Sequence, residues 1–194
     1  MLSIYQRQIA NRDLKKIIRD YQEGYNLACA ASRDAYMKTL APGATVPKAG
    51  RIYRQTEKDD FRSKCNGYKA LANAALDGLL SSLGDTVTAA PSTDAVNAIT
   101  LLSLQKNAGK KDIARLLDAY GKNVQAYKTI VSIAHERGID EYPRMHPEEA
   151  TLENIEKLRD TLNSALTLEN AEAGRAGGFM SMVAAEIDEA LPID

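Results

Sequence analysis

Few side chains in this sequence have the types and spacing that chemistry requires. The two histidines, His135 and His146, stand eleven residues apart with no cysteine nearby, whereas a zinc site needs about four such ligands. The two cysteines, Cys29 and Cys65, lack metal-ligand spacing, and neither has a neighbouring histidine to activate it as a nucleophile. We therefore expect reduced, buried thiols, with a redox lock between them as the alternative, and no metal or other cofactor.

Phosphate-binding and acid–base signatures are also missing. No G-x-x-x-x-G-K-[ST] loop occurs, and no G-x-G-x-x-G follows a strand. The segment GRAGG at 174–178 has no preceding strand, so we interpret it as a hinge or a close helix contact. The acids Glu148 and Glu149 stand where a helix begins and His135 stands where one ends, which suits the helix dipole. The sequence predicts a protein that is not an enzyme.

The elements that position these residues are predicted to be helices, because apolar residues recur every three or four positions. Two long helices are separated by APGATVPKAG, whose prolines and glycines cannot continue a helix. They predict a long antiparallel hairpin within residues 1–85. Its turn centres near residue 47, so Cys29 and Cys65 are expected at about the same level of the hairpin. The predicted helices run over 4–40 and 55–83.

The second half predicts shorter helices. Ser92 or Thr93 is a good helix N-cap. Three glycines follow at intervals that are typical of helix C-termini and turns. These signals predict a compact three-helix unit within 92–140, followed by a C-terminal helical arm over 150–191. The predicted fold class is all-α. The glycines expected at the helix ends and turns are Gly109, Gly121 and Gly138.

The helix pair around NAGKKDIARLLDAYGKN, residues 107–123, has the outline of a helix-turn-helix DNA reader. In that motif a glycine falls in the turn, but Asp118 occupies the position here and Gly121 comes three residues late. The would-be reading helix carries only Lys128 and Arg137 as cations, although DNA affinity needs several phosphate-neutralising side chains. We therefore interpret the segment as the middle of a packed three-helix unit.

The formal net charge of −1 conceals a lopsided distribution of charge. Residues 1–69 carry a net charge of +7, whereas residues 145–194 contain eleven acids and carry −8. A basic face and an acidic arm suit a polyanion or head-to-tail contacts between copies; solvated helix faces are the alternative. The candidate polyanion contacts fall within thirteen residues: Arg7, Arg12, Lys15, Lys16 and Arg19.

The span 94–139 is similar to a segment of small helical proteins from phages and prophages of Gram-positive bacteria, often encoded near head-morphogenesis genes. The shared features are LLSL, DI, YG-N and IA---GI, at 101–104, 112–113, 120–123 and 133–139. The resemblance implies a non-catalytic structural or assembly protein. Its partners would be further copies of itself or another phage or host protein.

Two other functions remain open. One is a phage-encoded inhibitor of a host defence system, an anti-CRISPR-like binder whose acidic arm imitates nucleic acid. The other, less favoured, is a nucleic-acid-binding protein that uses the basic N-terminal region. If the C-terminal arm projects, its apolar stripe is the expected interface: Phe179, Met182, Val183, Ile187 and Leu191.

Composition predicts an ordinary globular protein, with 44% hydrophobic and 26% charged residues. No run approaches the roughly 18 apolar residues that span a bilayer, so we expect no membrane association. The mixed polar N-terminus lacks a secretory apolar region. We expect a cytoplasmic protein of a bacterial host, with association to the virion as a further expectation.

Overall fold

The computed structural model describes residues 2–45, 47–173 and 179–192 of the chain. Within these ranges every regular element is a helix and no strand occurs, so the predicted all-α class is confirmed. The helices are α1 (Ile4–Met37), α2 (Gln55–Thr88), α3 (Thr93–Leu104), α4 (Lys110–Tyr120), α5 (Val124–Glu136), α6 (Pro147–Ala165), α7 (Leu168–Ala173) and α8 (Phe179–Ala190).

The chain divides into two compact units. One comprises residues 79–154 together with Leu2, and the other comprises residues 3–78 and 155–192. The boundaries therefore fall inside α2 and α6. The three-helix unit predicted for 92–140 lies within the first of these units.

In the larger unit, α1 begins where its sequence signals a helix start. Ser3 is the N-cap: its hydroxyl accepts from the backbone N–H of Gln6 at 3.2 Å, and the Gln6 side chain accepts from Ser3 N–H at 3.0 Å. This reciprocal pair satisfies two backbone donors that a helix end otherwise leaves exposed. One face of α1 is then buried at helical spacing: Ala10, Asn11, Leu14, Ile17, Ile18, Tyr21, Tyr25, Cys29 and Ser32.

Aromatic contacts join α1 to the first two-thirds of α2. The Tyr21 and Tyr68 rings meet edge to face with centroids 5.9 Å apart, and Tyr25 and Phe61 do so at 5.3 Å. Further along α1, the Ser32 hydroxyl donates to the Glu57 carboxylate. Residue numbers rise along α1 as they fall along α2. These contacts are compatible with the predicted antiparallel hairpin.

The register set by these contacts places Cys29 and Cys65 at different levels along the helix pair. In this register Cys65 lies about seven residues beyond the α2 position opposite Cys29, or roughly 10 Å along the helix. The expectation of a common level is wrong because the connection is not symmetric: Tyr25 Oη donates to Gly50 O at 3.1 Å, and Tyr53 N–H donates to Ser32 Oγ at 2.8 Å. Both cysteines are buried and neither is in a disulfide.

In the smaller unit, α3, α4 and α5 surround their own apolar core. Ile113 of α4 and Ile130 of α5 are fully buried at its centre, with Ile99 of α3 against them. The Arg137 guanidinium at the end of α5 donates to Leu102 O at 2.6 Å and to Ala108 O at 3.2 Å. These bonds satisfy carbonyls at and beyond the end of α3, and so fix the position of α3 on α5.

Candidate interaction surface

Helix α3 has apolar residues on both of its faces. Ala95, Ile99 and Leu102 are buried against α4 and α5. On the opposite side, Val96, Leu101 and Leu104 are 48%, 62% and 73% exposed. A helix that packs on one side normally presents polar side chains on the other. The exposed side of α3 is therefore an apolar surface that the described part of the chain leaves open to solvent.

We define the α3 surface by five exposed residues. Val96, Thr100 and Leu104 are four residues apart and form one row along the helix, with Asn97 and Leu101 in the adjacent row. All five side chains are uncharged. Thr100 keeps its hydroxyl turned back onto the helix, donating to Val96 O at 2.8 Å, so the row presents mainly carbon.

Charges lie only at the two ends of this surface. The segment 70–105 contains no lysine or arginine, and Asp94 is the acid of the first turn of α3. Lys106 follows the last turn and is exposed. The surface is thus acidic at its N-terminal end, basic at its C-terminal end and apolar between them.

Sequence reasoning treated α3 as part of a packed unit and did not single out this surface. A signal was available in LLSL at 101–104. Leu102 points to the core, but Leu101 and Leu104 are displaced from it by about 100° and 200° around the helix. Two leucines on the wrong side of an otherwise well-formed amphipathic helix indicate a second contact face.

Of the five apolar residues predicted as an interface on the C-terminal arm, some are buried in the core of their own unit and others lie at its surface. Val183, Ile187 and Leu191 are fully buried, whereas Met182 is 53% exposed and Phe179 is half-buried. The arm therefore docks instead of projecting, and three of its five predicted interface residues are inaccessible to a partner in this arrangement.

Polar contacts fix that docking onto α1. The amide of Asn11 donates to Leu191 O at 2.9 Å and to the Asp188 carboxylate at 3.0 Å, and Lys15 pairs with the same carboxylate at 2.6 Å. Asp188 retains its charge easily because the hydrogen bond from Asn11, followed by that from Lys15, lowers the pKa of its carboxyl group.

The candidate polyanion residues are only partly brought together. Arg12, Lys15, Lys16 and Arg19 share one side of α1, since they are three or four residues apart, but Arg7 is on a different side. Lys15 is paired with Asp188 as described, and Arg12 pairs with Asp13 at 3.2 Å. The basic region is therefore a helix face partly neutralised by its own neighbours.

His146 is the more buried of the two histidines, and both of its ring nitrogens form hydrogen bonds with backbone groups. Its Nδ1 accepts from Glu148 N–H at 3.1 Å and its Nε2 donates to Gly121 O at 3.0 Å. This pattern requires a neutral ring with its proton on Nε2. Neither nitrogen has capacity left for a metal or for a substrate proton.

A groove of about 680 Å³ runs beside His146 and is walled by Tyr127 and Tyr142. The Tyr127 ring stands edge to face with His146, at 5.0 Å between centroids. No serine, cysteine or second histidine lines this groove. With both His146 ring nitrogens bonded to the backbone, the other polar side chains that line the groove are those of Asp118, Lys122 and Glu148, together with Thr86.

His135 has a different environment. Its Nδ1 lies 2.6 Å from the Asp140 carboxylate and its Nε2 lies 3.0 Å from Tyr142 O. Both partners are acceptors, so each ring nitrogen forms its hydrogen bond as a donor when it carries a proton. This ring links the end of α5 to the loop that follows.

Burial raises the pKa of the Cys65 thiol to about 11, which makes it a poor nucleophile at neutral pH. Over the described ranges no group of three metal-binding side chains occurs. None of the helices in those ranges combines the length and apolar character that crossing a membrane requires. The GRAGG segment at 174–178 lies outside the described residues.

Comparison with known proteins adds no assignment. No protein-family model matches the chain, and neither a curated protein nor a solved structure matches it.

Proposed function

We propose that this chain is a non-catalytic structural or assembly protein of a phage or prophage, which acts in the bacterial host through protein–protein contacts made by the α3 surface. One observation carries the proposal. Val96, Leu101 and Leu104 present 48–73% of their surface to solvent on one face of a helix whose other face is core. Contiguous exposed apolar surface of this kind marks an interaction site.

The sequence resemblance supports the same interpretation. The span 94–139, which resembles phage and prophage proteins, coincides with α3, α4 and α5. Its LLSL motif supplies both exposed leucines of the α3 surface and one core leucine between them. A motif that serves packing on one side and exposure on the other fits a module that binds another protein.

The acidic arm gives less support to nucleic-acid mimicry by an inhibitor of host defence. Several of its carboxylates face cations of the chain itself: Glu149 pairs with Lys128 at 2.8 Å, and Glu169 pairs with Arg62 at 3.2 Å. Asp188 pairs with Lys15 at 2.6 Å. A mimic needs a dense array of carboxylates available to its target, whereas these three are paired with cations of the chain itself.

The test follows the chain through particle assembly. The protein is produced together with the products of its neighbouring genes, and its sedimentation with assembling particles is measured by gradient centrifugation. We expect the unmodified chain to sediment with the particles. We expect the pair Leu101→Asp and Leu104→Asp to remain at the top of the gradient, because charges on the apolar surface block the contact.

A matched control uses exposed leucines elsewhere. Leu27 and Leu71 are 72% and 58% exposed, similar to Leu104 and Leu101, so Leu27→Asp with Leu71→Asp makes the same chemical change outside α3. The control should sediment like the unmodified chain. If the unmodified chain stays at the top, or if the α3 variant sediments with particles as well as the control does, the proposal is wrong.

A further inference from the structure

We infer that the α3 surface is a contact between two copies of this chain, with the two α3 helices packed antiparallel about a two-fold axis near Thr100. The inference rests on the proposed function, since it names the partner of the same surface. It is carried by the symmetry of the surface about its centre and by the charges at its ends.

The apolar row is centred on Thr100. Val96 precedes Thr100 by four residues and Leu104 follows it by four, so all three lie on one side of the helix. When an identical row is laid antiparallel, Val96 meets Leu104 of the second copy, and Thr100 meets its own equivalent. A closed two-fold contact requires such a self-complementary patch. The small central Thr100 allows the two helix axes to approach.

The end charges are complementary in the same arrangement. The antiparallel register brings the end of α3 that carries Asp94 beside the end that carries Lys106 in the second copy, and this happens twice about the axis. A parallel register would place Asp94 beside Asp94 and Lys106 beside Lys106, which is repulsive. The charge pattern therefore selects the antiparallel pair.

The length of α3 limits the strength of the contact. A helix of twelve residues is about 18 Å long, and one such face against another falls at the lower end of specific interface areas, below about 1,200 Å² in total. We therefore expect a dimer whose population depends on protein concentration, suited to a component that is concentrated where particles assemble.

The first test is the mass of the purified full chain by sedimentation equilibrium across a wide range of concentration. We expect the average mass to rise from 21.2 kDa towards twice that value. Leu104→Asp should weaken association by at least about tenfold, whereas Leu27→Asp, at an equally exposed position, should leave it unchanged. A mass that stays at one chain throughout, or equal effects of the two substitutions, overturns the inference.

The second test exchanges the end charges. Asp94→Lys and Lys106→Asp should each weaken the dimer, because each places like charges side by side. The two changes combined should restore association towards that of the unmodified chain. Circular dichroism checks that each variant remains helical. If the combined variant is as weak as the worse single variant, the antiparallel pairing is wrong.

These outcomes are distinct from failure of the proposed function. A chain that stays monomeric but enters particles through α3, as the leucine variants report, has a different protein as its partner. That result overturns the two-copy inference and leaves the proposed function standing. A chain that dimerises through α3 but never enters particles overturns the proposed function and leaves the two-copy inference standing.

Discussion

At the scale of single residues, His146 illustrates how a chemically capable side chain is used for structure. It stands immediately before Pro147, the first residue of α6, and its Nδ1 accepts from the N–H of Glu148. Its own N–H donates to the Glu149 carboxylate at 3.3 Å, which completes a reciprocal cap. Nε2 then ties this helix start to Gly121 O.

We expect His146→Ala to lower the free energy of unfolding by about 2 kcal/mol, because two hydrogen bonds of about 1 kcal/mol each are lost. His146→Asn should lose about half as much, since its side-chain oxygen still caps the helix but cannot reach Gly121. Urea denaturation of the three proteins measures the difference. Equal losses in the two variants would show that the ring does not act as a cap.

A second prediction at this scale concerns Gly24 of α1. The Tyr68 hydroxyl donates to Asp20 O at 3.1 Å, and a Cβ at residue 24 would lie 2.7 Å from that hydroxyl oxygen. Alanine normally stabilises a helix interior over glycine by about 0.5–1 kcal/mol. Here the new methyl group must displace the hydroxyl and its hydrogen bond.

We therefore expect the sign of Gly24→Ala to depend on Tyr68. In the native sequence the substitution should lower the free energy of unfolding. In a Tyr68→Phe background, where the obstructing oxygen is gone, it should raise it by about 0.5–1 kcal/mol. A double-mutant cycle by thermal or urea unfolding tests this. Additive effects would contradict the close approach.

At the scale of elements, the docking of α8 on α1 is linked to pH through Asp188. Hydrogen bonds from Asn11 and then Lys15 lower the pKa of its carboxyl group in the folded protein. A lowered folded-state pKa contributes stability that is complete above the unfolded-state value, about 3.9, and is lost as pH falls through the folded-state value.

We expect Asp188→Asn to destabilise the protein most near about pH 7 and to have little effect near about pH 2, where the native carboxyl group is protonated as well. Urea unfolding across this pH range measures the difference from the unmodified chain. Glu189→Gln, which changes the neighbouring exposed carboxylate of α8, is the control. A difference for Asp188→Asn that does not shrink at low pH would contradict this assignment.

Element-scale features were unevenly predictable from the sequence. The buried faces of α1 and α2 follow from the periodicity of apolar residues; they include Leu14, Ile18 and Tyr21 on α1, and Phe61 and Leu76 on α2. Periodicity identifies apolar faces but does not say which element covers them. The sequence therefore could not decide that α8 docks on α1, nor that the second apolar face of α3 stays open.

The cysteine register shows a second limit. The helix ends around APGATVPKAG were predictable from its prolines and glycines. The path of the chain between them depends on tertiary hydrogen bonds, such as that from Tyr25 to Gly50. A symmetric turn was the simplest assumption, and it misplaced Cys29 relative to Cys65.

At the scale of the whole molecule, some of the unevenly distributed charges form ion pairs within the chain. The basic stretch 1–69 and the acidic stretch 145–194 meet in ion pairs within one unit, Lys15 with Asp188 and Arg62 with Glu169. The opposed charges thus help to join distant parts of the chain. The stretch 70–105, which contains α3 and has no lysine or arginine, is the better candidate for contacts between molecules.

The most direct measurement of that contact is disulfide trapping of the full chain at Thr100. Thr129→Cys on α5 is a matched control, because Thr100 and Thr129 are both exposed and both donate to the carbonyl four residues earlier. Under mild oxidation we expect Thr100→Cys to give a covalent dimer on a non-reducing gel and Thr129→Cys to remain monomeric. Equal trapping at both positions, or none at residue 100, would contradict the α3 contact.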